Sequence, residues 1–296
     1  MNIKLGAHQS ISGGYSQALE RIKNIGGNCL QIFSSSPRGW NFPKITEQQT
    51  IDFINLKNKF KINPVYFHAS YLINLADEGR IGHLSKMALV IDLNIASKLK
   101  IKGVIIHLGS FKLNKPNKSV LPLLNGRTGV VSNQPKYQTL LKNIKEIFDK
   151  TPKESLFIIE NAGNRKIGQT LEEIAQIVKD VKNPRARICL DTCHLFSNGY
   201  SFKNTKELDL FLDKLEKLDL LNKLELWHVN DSRDPYNSGC DRHENIGQGT
   251  IGLEEFTTLL NNKKANHYPF IIETPGFDNN GPDKKNLDIL KSLITT

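Results

Sequence analysis

The stretch LELWHVNDSRDPYNSGCDRH (224–243) opens as a short apolar run, Leu224, Leu226 and Trp227, and breaks off on His228. An apolar run of that length, stopped by polar residues, reads as a buried strand. Asn230, Asp231 and Ser232 follow, and after a turn the segment closes on Asp241 and His243. A histidine at a strand's end, with Asp-x-His beyond a turn, gathers imidazole and carboxylate at one rim. That is the donor set of a first-row metal, zinc by preference.

Working outward, the same unit recurs along the chain. Apolar runs lie at 3–7, 29–33, 64–67, 104–106, 156–159, 187–190, 224–227 and 270–272, and each is followed by a helix-like stretch. Leu84, Met87, Ile91, Ile95 and Leu99 repeat at helical spacing, as do Leu208, Phe211, Leu212, Leu215 and Leu218. Thr46-x-x-Gln49 and Thr170-x-x-Glu173 have the form of capping boxes, and Gly26-Gly27 supplies a stop after the first helix. Eight strand–helix alternations predict an α/β fold, a closed (β/α)8 TIM barrel. The structural competitor is a doubly wound open sheet, but no G-x-G-x-x-G follows the first strand. With no linker or low-complexity break, residues 1–296 read as a single domain.

Hydrophobic content of 39% and charged content of 24% describe a soluble globular protein. No apolar run reaches the ~20 residues of a membrane span. The N-terminus, MNIKLGAHQS, lacks a signal-peptide core and already reads as a strand, so the expected location is cytoplasmic. A net charge of +10 favours a polyanionic partner, although Lys, Ile and Asn are abundant throughout and charge alone decides little. The four cysteines show no C-x-x-C spacing and read as reduced thiols, mostly buried.

What ends each strand carries the chemistry. The first run ends on His8, the third on His68, the fourth on His107 and the fifth on Glu160. The sixth ends on Asp191 with His194 after it, the seventh on His228 and the eighth on Glu273. Barrel enzymes build their sites at this C-terminal rim. Each residue alone has a plain structural role open to it: a hydrogen-bonded histidine, Asp191 as a helix cap, Glu160 paired with Arg165, Glu273 solvated. Those roles would have to hold independently at every position, and none explains why five of the eight histidines fall at strand ends. His83 and His267 stand apart in polar or helical context. His68, His107, His194, His228 and His243, with Glu160, Asp191, Asp241 and Glu273, make nine candidate ligands, enough for two or three ions with one shared carboxylate. Metals clustered ~3.5–4 Å apart ionise water near neutral pH and clamp both oxygens of a phosphoester displacement.

HASYLINL (68–75), RICLDTCH (187–194) and WHVNDSRDPYNSGCDRH (227–243) closely resemble three signatures of the endonuclease IV family of apurinic/apyrimidinic endonucleases. HLGS (107–110), ENAG (160–163), NIGQG (245–249) and IIET (271–274) match further family segments. The resemblance implies a TIM barrel with three Zn2+ ions, Mn2+ being an alternative at one site. It also implies cleavage of double-stranded DNA 5′ of an abasic site, leaving a 3′-hydroxyl and a 5′-deoxyribose phosphate. Carried over by position, His68, His107 and Glu160 hold one zinc. Glu160, Asp191, His228 and Glu273 hold a second, and His194, Asp241 and His243 the third. Glu160 and Glu273 are the expected catalytic carboxylates.

An abasic site offers no base to read, so such an enzyme exploits deformability and inserts side chains into the duplex. SSSPRGW (34–40) resembles the family's DNA-entering loop, with Arg38 as the probe, and Tyr71 and Leu72 resemble the pair that fills the gap. On spacing alone, Tyr71, Leu72 and Ile73 read as core packing after a strand; the resemblance reverses that. Three features depart from the family pattern. Arg233 stands where lysine is common, the NRKIG segment after ENAG is short, and the loop 110–136 is long. That loop carries Lys112, Lys115, Lys118 and Arg127 and is expected to add phosphate contacts. A monomer is expected, since DNA must reach an open rim. The competing class is a metal-dependent sugar isomerase or epimerase on the same barrel, whose sites rely mostly on carboxylates; five histidine ligands and a separate Asp-x-His favour the nuclease.

Overall fold

Each apolar run forms a strand, and the alternation of side chains along it decides what the strand carries. The computed structural model describes residues 3–111, 135–163 and 166–295. Its strands are β1 (Leu5–His8), β2 (Cys29–Phe33), β3 (Val65–His68), β4 (Gly103–Ile106), β5 (Leu156–Glu160), β6 (Ala186–Asp191) and β7 (Leu224–His228). A two-residue hairpin follows, β8 (Asp231–Ser232) paired with β9 (His243–Glu244), and β10 (Phe270–Ile272) is the last strand. The order β1-β10-β7-β6-β5-β4-β3-β2 closes on itself with every neighbouring pair parallel. The predicted (β/α)8 barrel is the fold.

Around it lie α1 (Tyr15–Asn24), α2 (Glu47–Phe60), α3 (Arg80–Lys98), α4 (Pro135–Asp149) and α5 (Leu171–Val181). α6 (Thr192–Ser197), α7 (Thr205–Lys217), α8 (Leu253–Asn261) and α9 (Lys284–Ser292) complete the ring. Thr46 caps α2 with a full capping box. At α5 the box is half formed. Thr170 accepts the Glu173 N–H, but the Glu173 carboxylate turns back to the N–H groups of Gly168 and Gln169, because the chain entering α5 presents those donors instead. α1 stops before Gly26-Gly27, with Gly26 at φ +80°. None of the described helices is long and apolar enough to cross a membrane. Residues 112–134, with Lys112, Lys115, Lys118 and Arg127, lie outside the described residues, and so does Arg165.

Two sets of strand residues alternate. Leu30, Ile32, Phe67, Val104, Ile106, Phe157, Ile159, Leu190, Trp227 and Phe270 face the helices and are fully buried. Each such side chain contributes roughly 1.5–3 kcal/mol by leaving water. Between them, Cys29, Tyr66, Ile105, Ile158, Cys189, Leu226 and Ile271 form a separate plug inside the barrel. β1 gives Gly6 to this layer, because a Cβ there would lie 2.0 Å from the Cys29 carbonyl oxygen. Two residues on from each plug position the chain again points inward: His8, Gln31, His68, His107, Glu160, Asp191, His228 and Glu273. A polar ring therefore sits directly above the apolar plug, and its position follows from the two-residue period of a strand.

Candidate metal centre

The rim ligands lie slightly deeper than the apolar runs alone suggest. His8, His68, Glu160, Asp191 and His228 are the last residues of their strands, and only His107 and Glu273 lie one residue beyond. Held by barrel hydrogen bonds, their backbones are fixed by the fold's most rigid part.

Glu160 is fully buried and faces two groups at once. Its Oε2 lies 3.1 Å from His68 Nε2 and 3.3 Å from His107 Nε2. Its Oε1 lies 3.1 Å from His228 Nδ1 and 3.4 Å from His194 Nδ1. His228 Nδ1 is also 3.6 Å from Glu273 Oε2 and 3.8 Å from Asp191 Oδ2. One donor atom from each of His68, His107 and Glu160 falls within 4.8 Å of the others, and the same holds for Glu160, Asp191, His228 and Glu273. These are the first two ligand sets carried over from the family.

The third set is gathered differently. The donors that converge within 4.8 Å are Asp191, Cys193 and His243, with His243 Nε2 3.5 Å from Asp191 Oδ2. The His194 ring lies tilted 5.5 Å from that of His243, but Asp241 packs its carboxylate against Gly163, where a Cβ would lie 2.1 Å from Oδ2. Cys193 lies in the first turn of α6, which Asp191 caps by accepting the His194 N–H at 3.0 Å, and its thiol faces the Arg242 carbonyl at 3.7 Å. Asp191 thus serves as a helix cap and a rim carboxylate together.

Histidine ring orientation is set from behind. His68 Nδ1 faces the Ala69 carbonyl at 2.8 Å, His194 Nδ1 the Asn161 carbonyl at 3.0 Å, and His243 Nδ1 the Glu273 carbonyl at 3.3 Å. His228 Nε2 faces Gln31 Oε1 at 2.6 Å. An acceptor on one ring nitrogen places the proton there and leaves the other nitrogen's lone pair facing the mouth. Buried His243 Nε2 and His107 Nδ1 have no hydrogen-bond partner.

Charge balance makes the same demand. Among the described residues every ion-pair partner of Glu160, Asp191 and Glu273 is a histidine, never lysine or arginine. Burial works to raise the Glu160 carboxyl, but His107 and His228 outweigh it and hold it well below the usual carboxylate range. Glu273 is likewise held low against its burial, chiefly by His228. Carboxylates held ionised in a barrel mouth, as Glu160 and Glu273 are, need positive charge beside them. Imidazole and carboxylate donors, with the orphaned His243 Nε2 3.5 Å from Asp191 Oδ2, fit borderline divalent metals.

A family model described as a xylose isomerase-like TIM barrel matches residues 19–293. Proteins called probable endonuclease 4 from Sulfurihydrogenibium sp. and Thermosipho melanesiensis are 35% and 36% identical over 296 and 279 residues, covering 99% and 93% of both chains respectively. The chain belongs to the endonuclease IV family. A crystal structure of endonuclease IV from Thermus thermophilus superposes with a TM-score of 0.79 at 28% identity, covering 98% of each chain. A D-tagatose 3-epimerase-like protein superposes with a TM-score of 0.68 at 20% identity over 98% of this chain and 97% of its own, a likeness of fold.

In this endonuclease IV family member the side chains read as DNA probes stand at the same mouth. Tyr71 is 66% exposed and Leu72 37%, so core packing does not hold for them, whereas Ile73 beside them is buried in the core. Tyr71 leans edge-on against Phe33, 5.4 Å between centroids, and Ser70 Oγ donates to the Pro37 carbonyl at 2.7 Å, tying the 68–75 loop to the 34–40 loop. Arg38 is exposed on that second loop and lies close enough to act on the Tyr71 hydroxyl. Arg233 is paired with Glu244 at 3.1 Å. His83 and His267 are exposed, and neither belongs to a donor group.

Several residues escaped sequence reasoning. Asn161 accepts the Asp191 N–H at 2.6 Å, while Asn230 donates to Asp191 Oδ2 and accepts the Glu273 N–H, both at 2.6 Å. Asp231 accepts the N–H groups of Ser232, Gly247, Gly249 and Ile251, clamping the 245–251 loop to the hairpin that carries His243. Gln31 completes the interior ring from β2, whose end bears no ligand. The available signal for Gln31 was register: it lies two residues beyond the plug residue Cys29, as every other ring member does beyond its own.

Proposed function

We propose that this protein is a zinc-dependent endonuclease that hydrolyses the phosphodiester 5′ of an abasic site in double-stranded DNA, leaving a 3′-hydroxyl and a 5′-deoxyribose phosphate. The observation that carries this is Glu160, whose two oxygens are divided between two groups of histidine and carboxylate donors at one open mouth. His68, His107 and Glu160 would hold one ion, and Glu160, Asp191, His228 and Glu273 a second. His243, with His194, Asp241 and the nearby Asp191, would hold a third. Bound divalent ions supply Lewis acidity there, bringing the ionisation of a water towards neutral pH and offsetting charge that builds on the phosphoryl and departing oxygens.

The remaining work falls to the chain. Glu160 and Asp191 are wholly buried and can only hold, whereas Glu273 is partly open to solvent and can orient a water and accept its proton. Tyr71 and Leu72 would stack into the space left by the missing base, with Arg38 bracing the displaced backbone. The basic chain, +10 overall, draws the polyanion to the mouth.

The test is a duplex oligonucleotide carrying one abasic analogue, incubated with and without a strong chelator. A single cut 5′ of the analogue with a 3′-hydroxyl terminus, lost with chelator and restored by zinc, is expected. Uncut abasic DNA with zinc-loaded protein, together with epimerisation of a ketose, would overturn the reading in favour of a sugar isomerase.

A further inference from the structure

Six of the eight inward positions in the polar ring belong to the first two donor groups; His8 and Gln31 do not. They are neighbours across the β1–β2 pairing, and Gln31 is fully buried. An amide side chain offers one acceptor oxygen and two N–H donors. Every one of these is used: Oε1 faces His228 Nε2 at 2.6 Å, and Nε2 faces His8 Nδ1 at 2.8 Å and donates to Glu273 Oε1.

The amide can point only one way. The Glu273 carboxylate can only accept, so the amide nitrogen lies on its side, next to His8 Nδ1, and the oxygen is turned to His228. An oxygen there can only accept, so His228 carries a proton on Nε2 and presents Nδ1 to Glu160, Glu273 and Asp191, 3.1, 3.6 and 3.8 Å away. The same amide restrains Glu273 beside it. We propose that Gln31 is a positioning residue for the second metal group, with the Glu273 carboxylate fixing the orientation of its amide and His8 beside it. This rests on the reading of the mouth as a metal site. It adds a contributor from β2, a strand that supplies no ligand.

Outer hydrogen-bond partners of metal ligands typically change metal affinity by ~10–100-fold. Gln31→Met keeps the volume and removes both functions. In zinc-loaded Gln31→Met protein, one zinc equivalent should pass to a chromophoric chelator ~10–100-fold faster than in the wild type, the others leaving at the wild-type rate. The second readout is long-range 1H–15N spectroscopy of histidine-labelled, zinc-loaded wild-type protein, with His228 assigned by substitution. It should show His228 protonated on Nε2 and metal-bound through Nδ1. A wild-type His228 bound through Nε2 would overturn the proposal even if the variant failed to fold, and so would equal zinc release from both proteins. Wild-type protein that holds no zinc would instead defeat the reading of the site itself.

Discussion

Asp92 on α3 is 5% exposed and lies beneath the 34–40 loop, in a small cavity lined with Phe33, Trp40, Asn41, Ser70 and Ala88. No lysine or arginine lines that cavity. Burial raises its carboxyl from 3.8 to about 7, with Ser34 opposing the shift. A group whose proton affinity is higher in the folded state stabilises the fold fully below its unfolded value and loses that contribution as pH rises through the folded one. Below about pH 7 folding must therefore return to Asp92 the proton that the unfolded chain has lost, and above it the native protein must ionise a carboxylate in a site that resists it. At ~1.4 kcal/mol per tenfold change in proton affinity, the penalty is about 2 kcal/mol at pH 5.5 and about 4 kcal/mol at pH 8.5. Asp92→Asn preserves shape and removes the charge, so the variant should be the more stable protein, with an advantage growing by about 2 kcal/mol between those pH values. Urea unfolding of both proteins at pH 5.5 and 8.5, with metal loading matched, reads the difference, and unchanged m-values confirm that only stability moved. An advantage equal at both pH values, or a variant less stable at pH 8.5, would refute the assignment of a buried, reluctant carboxylate.

Glu160→Gln should reduce abasic-site cleavage by more than the ~100-fold that loss of an outer partner costs, because one carboxylate serves two donor groups, and metal analysis should show at least one ion missing; near-normal turnover with full metal content would remove Glu160 from its role. Gly163→Ala places a methyl where the Asp241 carboxylate lies, 2.1 Å from Oδ2. It should cost one metal equivalent from the third set and leave the other two, as counted by elemental analysis; undiminished metal content would show that Asp241 holds no ion. Thr46→Ala removes the capping box of α2 and should cost about 1 kcal/mol in urea unfolding.

Much of this protein is legible from residue order. Strand-forming runs, the helices between them and the identities at the strand ends are local properties, written in periods of two and 3.6 residues. The ring of inward side chains is legible too once register is counted, since Tyr66 to His68, Ile158 to Glu160 and Leu226 to His228 are each one full strand period. α2 announces itself chiefly by its cap at Thr46, because its apolar face is narrow and interrupted by polar residues. The hairpin β8–β9 is two residues a side, too short for any periodicity.

What residue order determined by itself is the kind of atom at each strand end and the barrel that brings those ends to one mouth, because backbone alternation and helical spacing depend on near neighbours only. The grouping of those atoms into sets was decided by tertiary structure. Gln31 meets His228 across 197 residues, the Asp241 carboxylate settles against Gly163, and Cys193 joins Asp191 and His243. These meetings depend on the stagger between strands and on where loops come to rest against one another. Both are settled only when the barrel has closed and distant backbones limit each other's space.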